Sequence, residues 1–181
     1  MPKFADVFLP PELDPRTEPP VTGDEKSLLV GFLRWQRETL ELKCSGLDAA
    51  ALCARSVEFS GLSLLGLVRH LADVEHQWFR ERMAGEDTPR RFSGADDPDG
   101  AFDHVAPDPD LVAEAWQAWR SEVEYAEQFV MKAESLDVVG GDPWRGEVSL
   151  RFVLVHMIEE YARHNGHADL LRQGIDGAVG Q

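Results

Sequence analysis

Four stretches of the chain repeat apolar residues every three or four positions, which is the spacing of one face of an α-helix. The second stretch is the most regular and carries its apolar residues on a single stripe. The pattern predicts four helices, at about residues 25–43, 63–84, 109–135 and 149–173. Helices of this length, joined by one long and two shorter connections, indicate an all-α protein built as a four-helix bundle.

Residues at the ends of these stretches suit helix boundaries. Asp24 can cap the first helix, and Asp108 followed by Pro109 is a typical start for the third. Gly85 and Gly174 can adopt the left-handed conformation that often follows a helix. We therefore expect these two glycines to end the second and fourth helices.

The segments between the predicted helices are rich in helix-breaking residues. Six of the eleven prolines lie in the first twenty residues, so residues 1–22 are expected to form an extended arm. Residues 86–108 and 140–147 mix Pro, Gly and Asp and predict surface connections, with no strand signal stronger than a short hairpin. The domain prediction is therefore an N-terminal arm over 1–22 and one bundle domain over 23–176.

Composition narrows the classes of partner. The 181-residue chain has 18 Lys plus Arg against 33 Asp plus Glu, a formal net charge of −15, and a field of that sign repels phosphate backbones. No apolar run approaches the roughly 20 residues that span a bilayer, and the N-terminus lacks the features of a secretory signal. We therefore expect a cytoplasmic protein that has neither nucleic acid nor membrane as a partner.

The two cysteines, Cys44 and Cys53, do not suggest chemistry of their own. Two cysteines cannot build a disulfide framework or a thiolate metal cluster within one chain. Neither has an activating neighbour in the sequence, so a catalytic cysteine is not expected.

Titratable residues on the fourth predicted helix are candidates for chemistry. Each residue of a helix advances by about 100°, so Glu160 and His164 lie about 40° apart and share a face with His167. That face borders the apolar stripe, where a carboxylate needs a compensating partner. On the second helix, His70 lies at the margin of the stripe, whereas His76 points the other way.

A divalent metal would satisfy His70, Glu160 and His164 together. Two nitrogens and one oxygen on rigid helices leave a coordination position open, which is typical of catalytic rather than structural zinc sites. The Glu-x-x-x-His spacing is weak evidence alone, because such pairs also occur on many solvated helix faces. His156, one turn before Glu160, is interpreted as a hydrogen-bond partner or a packed residue rather than a ligand.

Other conspicuous features have simpler interpretations. His104 lies in the acidic loop and is expected to be solvated. Arg163 and Arg172 are expected to pair with acidic neighbours, with contact to an anionic substrate as the less favoured alternative. The sequence has no Gly-rich phosphate loop, nucleophile elbow or C-x-x-C motif, so nucleotide binding and serine hydrolysis have no support.

Two longer motifs carry a family resemblance. SLLGLVRHLADVEHQWF at 63–79 and HMIEEYARHNGHADLLRQ at 156–173 resemble the DinB-like superfamily, and within it an actinobacterial subgroup catalogued as a domain of unknown function. The resemblance extends from the first helix to Gly174. It implies the DinB/YfiT-like metalloenzyme fold, a four-helix bundle with a divalent metal, often zinc or nickel.

The resemblance also implies a ligand set. The superfamily binds metal through a histidine on the second helix and two residues four apart on the last, which match His70, Glu160 and His164. Glu160 stands where many members have histidine, and His167 where many have glutamine. The glutamate variant resembles the mycothiol-dependent maleylpyruvate isomerases, in which His, Glu and His hold zinc. His167 stays open as a fourth ligand.

Three functions are compatible with such a site. The resemblance favours a thiol S-transferase or isomerase that joins a low-molecular-weight thiol, mycothiol first among them, to a small-molecule substrate. A metal-dependent hydrolase with His167 or His156 as proton shuttle is the second. The third is a non-enzymatic metal-binding stress-response protein. Relatives of this fold often form dimers, so a homodimer is a further expectation.

Overall fold

The structure, a computed structural model, describes residues 8–180. Helices make up most of this part of the chain. The six helices are α1 (Glu25–Cys44), α2 (Ala49–Cys53), α3 (Leu64–Glu75), α4 (Gly100–Asp103), α5 (Pro109–Lys132) and α6 (Leu150–Asp176). A 3-10 turn spans Pro11–Leu13, and π-helical turns over His76–Met83 continue α3. One antiparallel hairpin joins β1 (Val139–Asp142) to β2 (Gly146–Ser149). The expectation of a mainly helical chain is thus confirmed.

Side-chain caps begin the four long helices where the sequence predicted. Asp24 accepts a hydrogen bond from the Ser27 N–H at the start of α1. Ser63, Asp108 and Ser149 accept equivalent bonds at the starts of α3, α5 and α6. These bonds satisfy amide donors that the first turn of a helix leaves free.

Two of the predicted helix ends were wrong. The helix α6 continues through Gly174 and ends at Asp176, followed by Gly177 with a φ of 78°. Gly174 instead allows close packing, because a Cβ there would lie 2.9 Å from atoms of Ser56. The helix α5 ends at Lys132, before the predicted residue 135. Gly85 has a φ of 69° and follows the second long helix as expected.

The second long helix changes character after Glu75. The Ala84 N–H donates to the Phe79 carbonyl five residues earlier, a π-type bond of 3.1 Å. The hairpin packs tightly on these turns, because a Cβ on Gly140 would overlap the Arg82 carbonyl. Arg82 Nε also lies 3.3 Å from Asp142 Oδ2, which fixes the hairpin to this segment.

A chain of buried polar contacts joins the four long helices. Glu75 on α3 accepts two 2.8 Å hydrogen bonds from the Arg37 guanidinium on α1. It also accepts one of 2.8 Å from the Tyr161 hydroxyl on α6. Tyr161 in turn accepts the Trp119 indole N–H from α5 at 2.8 Å. The hydrogen bond from Tyr161 to Glu75 fixes α6 against α3 one residue from Glu160. All four long helices contribute to the surrounding core.

The long connection after Gly85 is tied to α3. The buried Asp73 carboxylate accepts hydrogen bonds from the Arg91 and Phe92 amides and from the Ser93 hydroxyl. Further along, α4 packs on α3, with Phe102 close to Gly66. The sequence predicted this segment only as a surface connection, so its short helix was missed.

The described part of the predicted arm lies along α1. Arg16 donates a hydrogen bond to the Thr39 hydroxyl and stacks over the Trp35 ring at 4.1 Å. The Thr17 amide donates to Glu38. Residues 1–7 of the arm lie outside the described residues. Within residues 8–180, no helix is both long and apolar enough to cross a lipid bilayer.

Candidate metal centre

Three predicted ligand residues meet between α3 and α6. One potential ligand atom from each of His70, Glu160 and His164 lies within 4.8 Å of the other two. His164 Nε2 is 3.4 Å from Glu160 Oε2. The ring centroids of His70 and His164 are 4.7 Å apart. The structure therefore brings together the two motifs that lie about 90 residues apart in the sequence.

The protonation states of these residues suit metal ligation. The pKa of His70 is lowered to about 4, first by burial and then by the charge of His164, while Glu160 opposes both. The pKa of Glu160 lies below its usual value, chiefly because His164 hydrogen-bonds to the carboxylate. At neutral pH His70 is therefore neutral and Glu160 ionised, so both offer lone pairs to a cation.

The donor set fits a divalent ion. Ligands bound at about 2 Å around one ion lie within about 4 Å of each other, close to the spacing of these three groups. The side chains of His164 and Glu160 are only 11% and 22% exposed, so the cluster is largely shielded from solvent. Two imidazoles and one carboxylate are the usual ligand types of zinc and related metals.

Two further histidines contact this cluster. His156 Nε2 lies 3.6 Å from Glu160 Oε1, and the His156 ring packs on Trp78 with 4.6 Å between centroids. His167 Nδ1 lies 3.3 Å from His164 Nδ1. The pKa of His167 is lowered, first by burial and then by His164 and Arg163. Neither His156 nor His167 belongs to the group of three residues whose ligand atoms lie within 4.8 Å of one another.

One neighbour of the cluster was not predicted. Phe102, from the short helix α4, packs against the His70 ring with centroids 5.2 Å apart. Its position helps to bury His70, and so helps to lower the pKa of that residue. In the sequence, Phe102 is only an aromatic residue in an irregular acidic segment. Its contact with His70 depends on how that segment folds back onto α3.

The remaining candidate residues lie elsewhere. His76 Nε2 contacts the Thr88 hydroxyl at 3.0 Å, and His104 contacts Asp97 at 2.8 Å on the surface. Arg163 pairs with Glu159 at 3.0 Å and Arg172 with Asp176 at 2.8 Å, which confirms the predicted acidic neighbours.

Neither cysteine lies among the residues of the cluster. Cys44 is buried, and burial raises its pKa to about 12, with Arg172 opposing the shift. The pKa of Cys53 is also raised, mainly by burial. A thiol with a raised pKa is a poor nucleophile at neutral pH, since the thiolate is the reactive form.

Two open cavities are separate from the cluster. One, of about 410 Å³, lies beside His76, Thr88 and Ser121. The other, of about 480 Å³, lies between α1 and α5, with Leu33 and Val130 in its wall. None of the three predicted ligands lines either cavity, so the chemistry of the cluster does not extend into them.

These observations define a mainly helical protein with a His/Glu/His cluster of the kind that can hold a divalent metal. A model of the mycothiol-S-transferase family matches residues 28–177, a span that contains all three cluster residues. The chain belongs to this family, and the resemblance to the mycothiol-related DinB-like superfamily is confirmed. No curated protein matches the chain.

Proposed function

We propose that this protein is a metal-dependent mycothiol S-transferase whose divalent metal is held by His70, Glu160 and His164. The observation that carries the proposal is the meeting of these three side chains in a member of the mycothiol-S-transferase family. Zinc is the expected metal, with nickel as the alternative. The proposal includes a four-helix bundle of the DinB-like type, a small-molecule co-substrate and, as an untested prediction, a cytoplasmic homodimer.

The chemistry needs a thiolate at neutral pH. A divalent ion supplies a Lewis acid that lowers the pKa of a thiol bound to it. His70 and His164 would each contribute a neutral imidazole nitrogen, and the charge of Glu160 would leave the site less positive than three histidines would. In the transfer, the thiol releases its proton to solvent, its sulfur bonds to the electrophilic carbon, and the leaving group departs with the electron pair of its broken bond to that carbon.

The protein's own cysteines support the need for an external thiol. Cys44 is buried with a pKa of about 12, and the pKa of Cys53 is also raised. Neither therefore offers a reactive thiolate, and neither belongs to the His/Glu/His cluster. The nucleophile is accordingly assigned to a bound low-molecular-weight thiol.

Steady-state assays on metal-loaded protein test the proposal. Mycothiol and monobromobimane should give the thioether and bromide faster with protein than without it. His164→Ala should abolish the enhancement, whereas the surface variant His104→Ala should retain it. Hydrolysis of an activated ester without any thiol would favour a hydrolase. Full metal occupancy without turnover of any cellular thiol would favour a non-enzymatic metal-binding protein.

A further inference from the structure

A row of aromatic rings leads away from the candidate metal centre along α6. His156 lies one helical turn before Glu160, and Phe152 one turn before His156. The Phe152 and His156 rings are nearly parallel, at 2°, with centroids 6.0 Å apart. His156 Nε2 lies 3.6 Å from Glu160 Oε1, so the row reaches the cluster without a break.

The hairpin places a cation at the far end of this row. The Arg145 guanidinium carbon lies 5.8 Å from the centre of the Phe152 ring. Asp142 accepts hydrogen bonds from the Trp144 and Arg145 amides, at 3.1 and 2.8 Å, which fixes the turn. Because the hairpin also packs tightly on the π-helical turns through Gly140, Arg145 projects from an anchored element.

Two large aromatic side chains near the start of α6 are exposed to solvent. Trp144 is 90% exposed and Phe152 39% exposed, so two large rings face solvent at one end of α6. Val155, on the same part of the helix, is also exposed. These exposed side chains lie close to Phe152 in the sequence and leave apolar surface open to a ligand. Trp144, Arg145, Phe152 and His156 are named here the hairpin shelf.

Charge along the hairpin shelf is polarised. Asp142 pairs with Arg145 at 3.4 Å but is shared with Arg82 at 3.3 Å, so it offsets the positive charge only in part. At the other end, Glu159 lies 3.7 Å from His156 Nδ1. An anionic group is therefore favoured at Arg145 and disfavoured near His156.

We propose that the hairpin shelf binds the electrophilic co-substrate, and that this co-substrate is an aromatic molecule with an anionic group. Its ring would stack on Phe152 and its anion would pair with Arg145. Phe152 and Glu160 are about 12 Å apart along the helix axis, at about 1.5 Å per residue. The reactive carbon therefore lies at the opposite end of the molecule from the anion. This inference rests on the proposed transferase function.

Acrylamides provide a matched series of probes. The thiol sulfur adds to the β-carbon and the thiol proton ends on the α-carbon, so no leaving group is needed. N-(4-carboxyphenyl)acrylamide has the aromatic ring and the anion, N-phenylacrylamide only the ring, and acrylamide neither. With metal-loaded protein and mycothiol, we expect kcat/KM to decrease in that order.

Variants of the hairpin shelf separate its two contributions. Arg145→Gln should raise KM for the carboxylated probe about tenfold, the usual effect of one charge-assisted hydrogen bond. The kcat of that probe and the rate with acrylamide should be unchanged. Phe152→Leu should raise KM for both aromatic probes. The matched controls are Arg120→Gln, another exposed arginine with a carboxylate partner, and Phe32→Leu, 46% exposed on α1.

Binding measured without turnover gives a second readout. Calorimetric titration with the unreactive N-(4-carboxyphenyl)propanamide should show binding that Arg145→Gln weakens about tenfold and Arg120→Gln does not. Equal binding and kinetics in all four variants, or a preference for acrylamide, would overturn the inference. If no probe is conjugated but the propanamide binds in an Arg145-dependent way, the transferase proposal fails and the hairpin shelf stands.

Discussion

His167 Nδ1 lies 3.3 Å from His164 Nδ1, while His164 Nε2 faces Glu160 Oε2 at 3.4 Å. The two nitrogens of His164 thus have different partners. A contact between two Nδ1 atoms needs a proton on one of them. If that proton is on His164, a metal can replace the proton that His164 Nε2 shares with Glu160. We therefore expect His167 to orient His164 rather than to act as a fourth ligand.

The first prediction separates these two roles of His167. His167→Ala should weaken metal affinity by about 10- to 100-fold, the usual effect of losing a partner of a ligand. His167→Gln, which retains a hydrogen-bonding side chain, should lose less. Competition with a chromogenic chelator measures both affinities against the native protein. Loss of metal from His167→Ala as complete as from His164→Ala would instead make His167 a fourth ligand.

The second prediction concerns the metal content of purified variants. His70→Ala and Glu160→Ala should each lose most of the bound metal, because each removes one of the three proposed ligands. His76→Ala and His104→Ala should retain it, since these side chains contact Thr88 and Asp97 instead. Elemental analysis of the four proteins decides the matter. Unchanged metal content after His70→Ala would show that α3 contributes no ligand.

The meeting of His70, Glu160 and His164 was predictable from helix geometry together with the resemblance to the DinB-like superfamily. Glu160 and His164 are four residues apart, so any α-helix places them on one face. The side of α3 that carries His70 followed from its position beside the apolar stripe. By contrast, Arg37 and Glu75 pair across two helices. Local sequence patterns do not show how these two helices are positioned relative to each other.

The starts of the long helices were predictable for a similar, local reason. Caps such as Asp24 act within one turn, so they located the helix starts. Helix ends were less certain because glycine has two uses. Gly174 permits close packing with Ser56, whereas Gly177 supplies the left-handed cap of α6. The sequence alone does not distinguish these two roles of glycine. The π-helical turns were missed because apolar spacing does not reveal which carbonyl each amide will meet.

The third prediction concerns the stability of the metal-free protein at acid pH. The pKa of His70 is lowered by burial to about 4, whereas an unfolded imidazole titrates near 6.5. Between these values the unfolded chain binds more protons, so stability falls as the pH falls from about 6.5 to about 4. The loss from this group reaches roughly 3 kcal/mol.

Replacement of His70 by Gln removes this titration. The free energy of unfolding, measured in urea at pH 7 and pH 4.5, should therefore differ less between the two pH values in His70→Gln than in native protein. His104→Gln is the control, because it replaces a histidine that is exposed rather than buried. An equal pH dependence in His70→Gln and native protein would contradict a buried neutral His70.

The fourth prediction tests the buried contacts that join the four long helices. Glu75→Ala leaves the Arg37 guanidinium buried without its bidentate partner and should cost about 3–5 kcal/mol of unfolding free energy. Tyr161→Phe removes one hydroxyl between Trp119 and Glu75 and should cost about 1–3 kcal/mol. The exposed Arg120 to Glu41 pair is the matched control, and Arg120→Ala should cost no more than about 1 kcal/mol.

A double variant identifies the source of that cost. If Glu75→Ala is damaging because it strands a buried charge, then Arg37→Met combined with Glu75→Leu should be more stable than Glu75→Ala alone. Urea unfolding followed by circular dichroism gives the free energies of unfolding of the native protein and of each variant. If the double variant is no more stable than Glu75→Ala, the stranded charge is not the source of the loss. The ion pair itself would then contribute net stability by holding α1 against α3, beside the helix that carries Glu160 and His164.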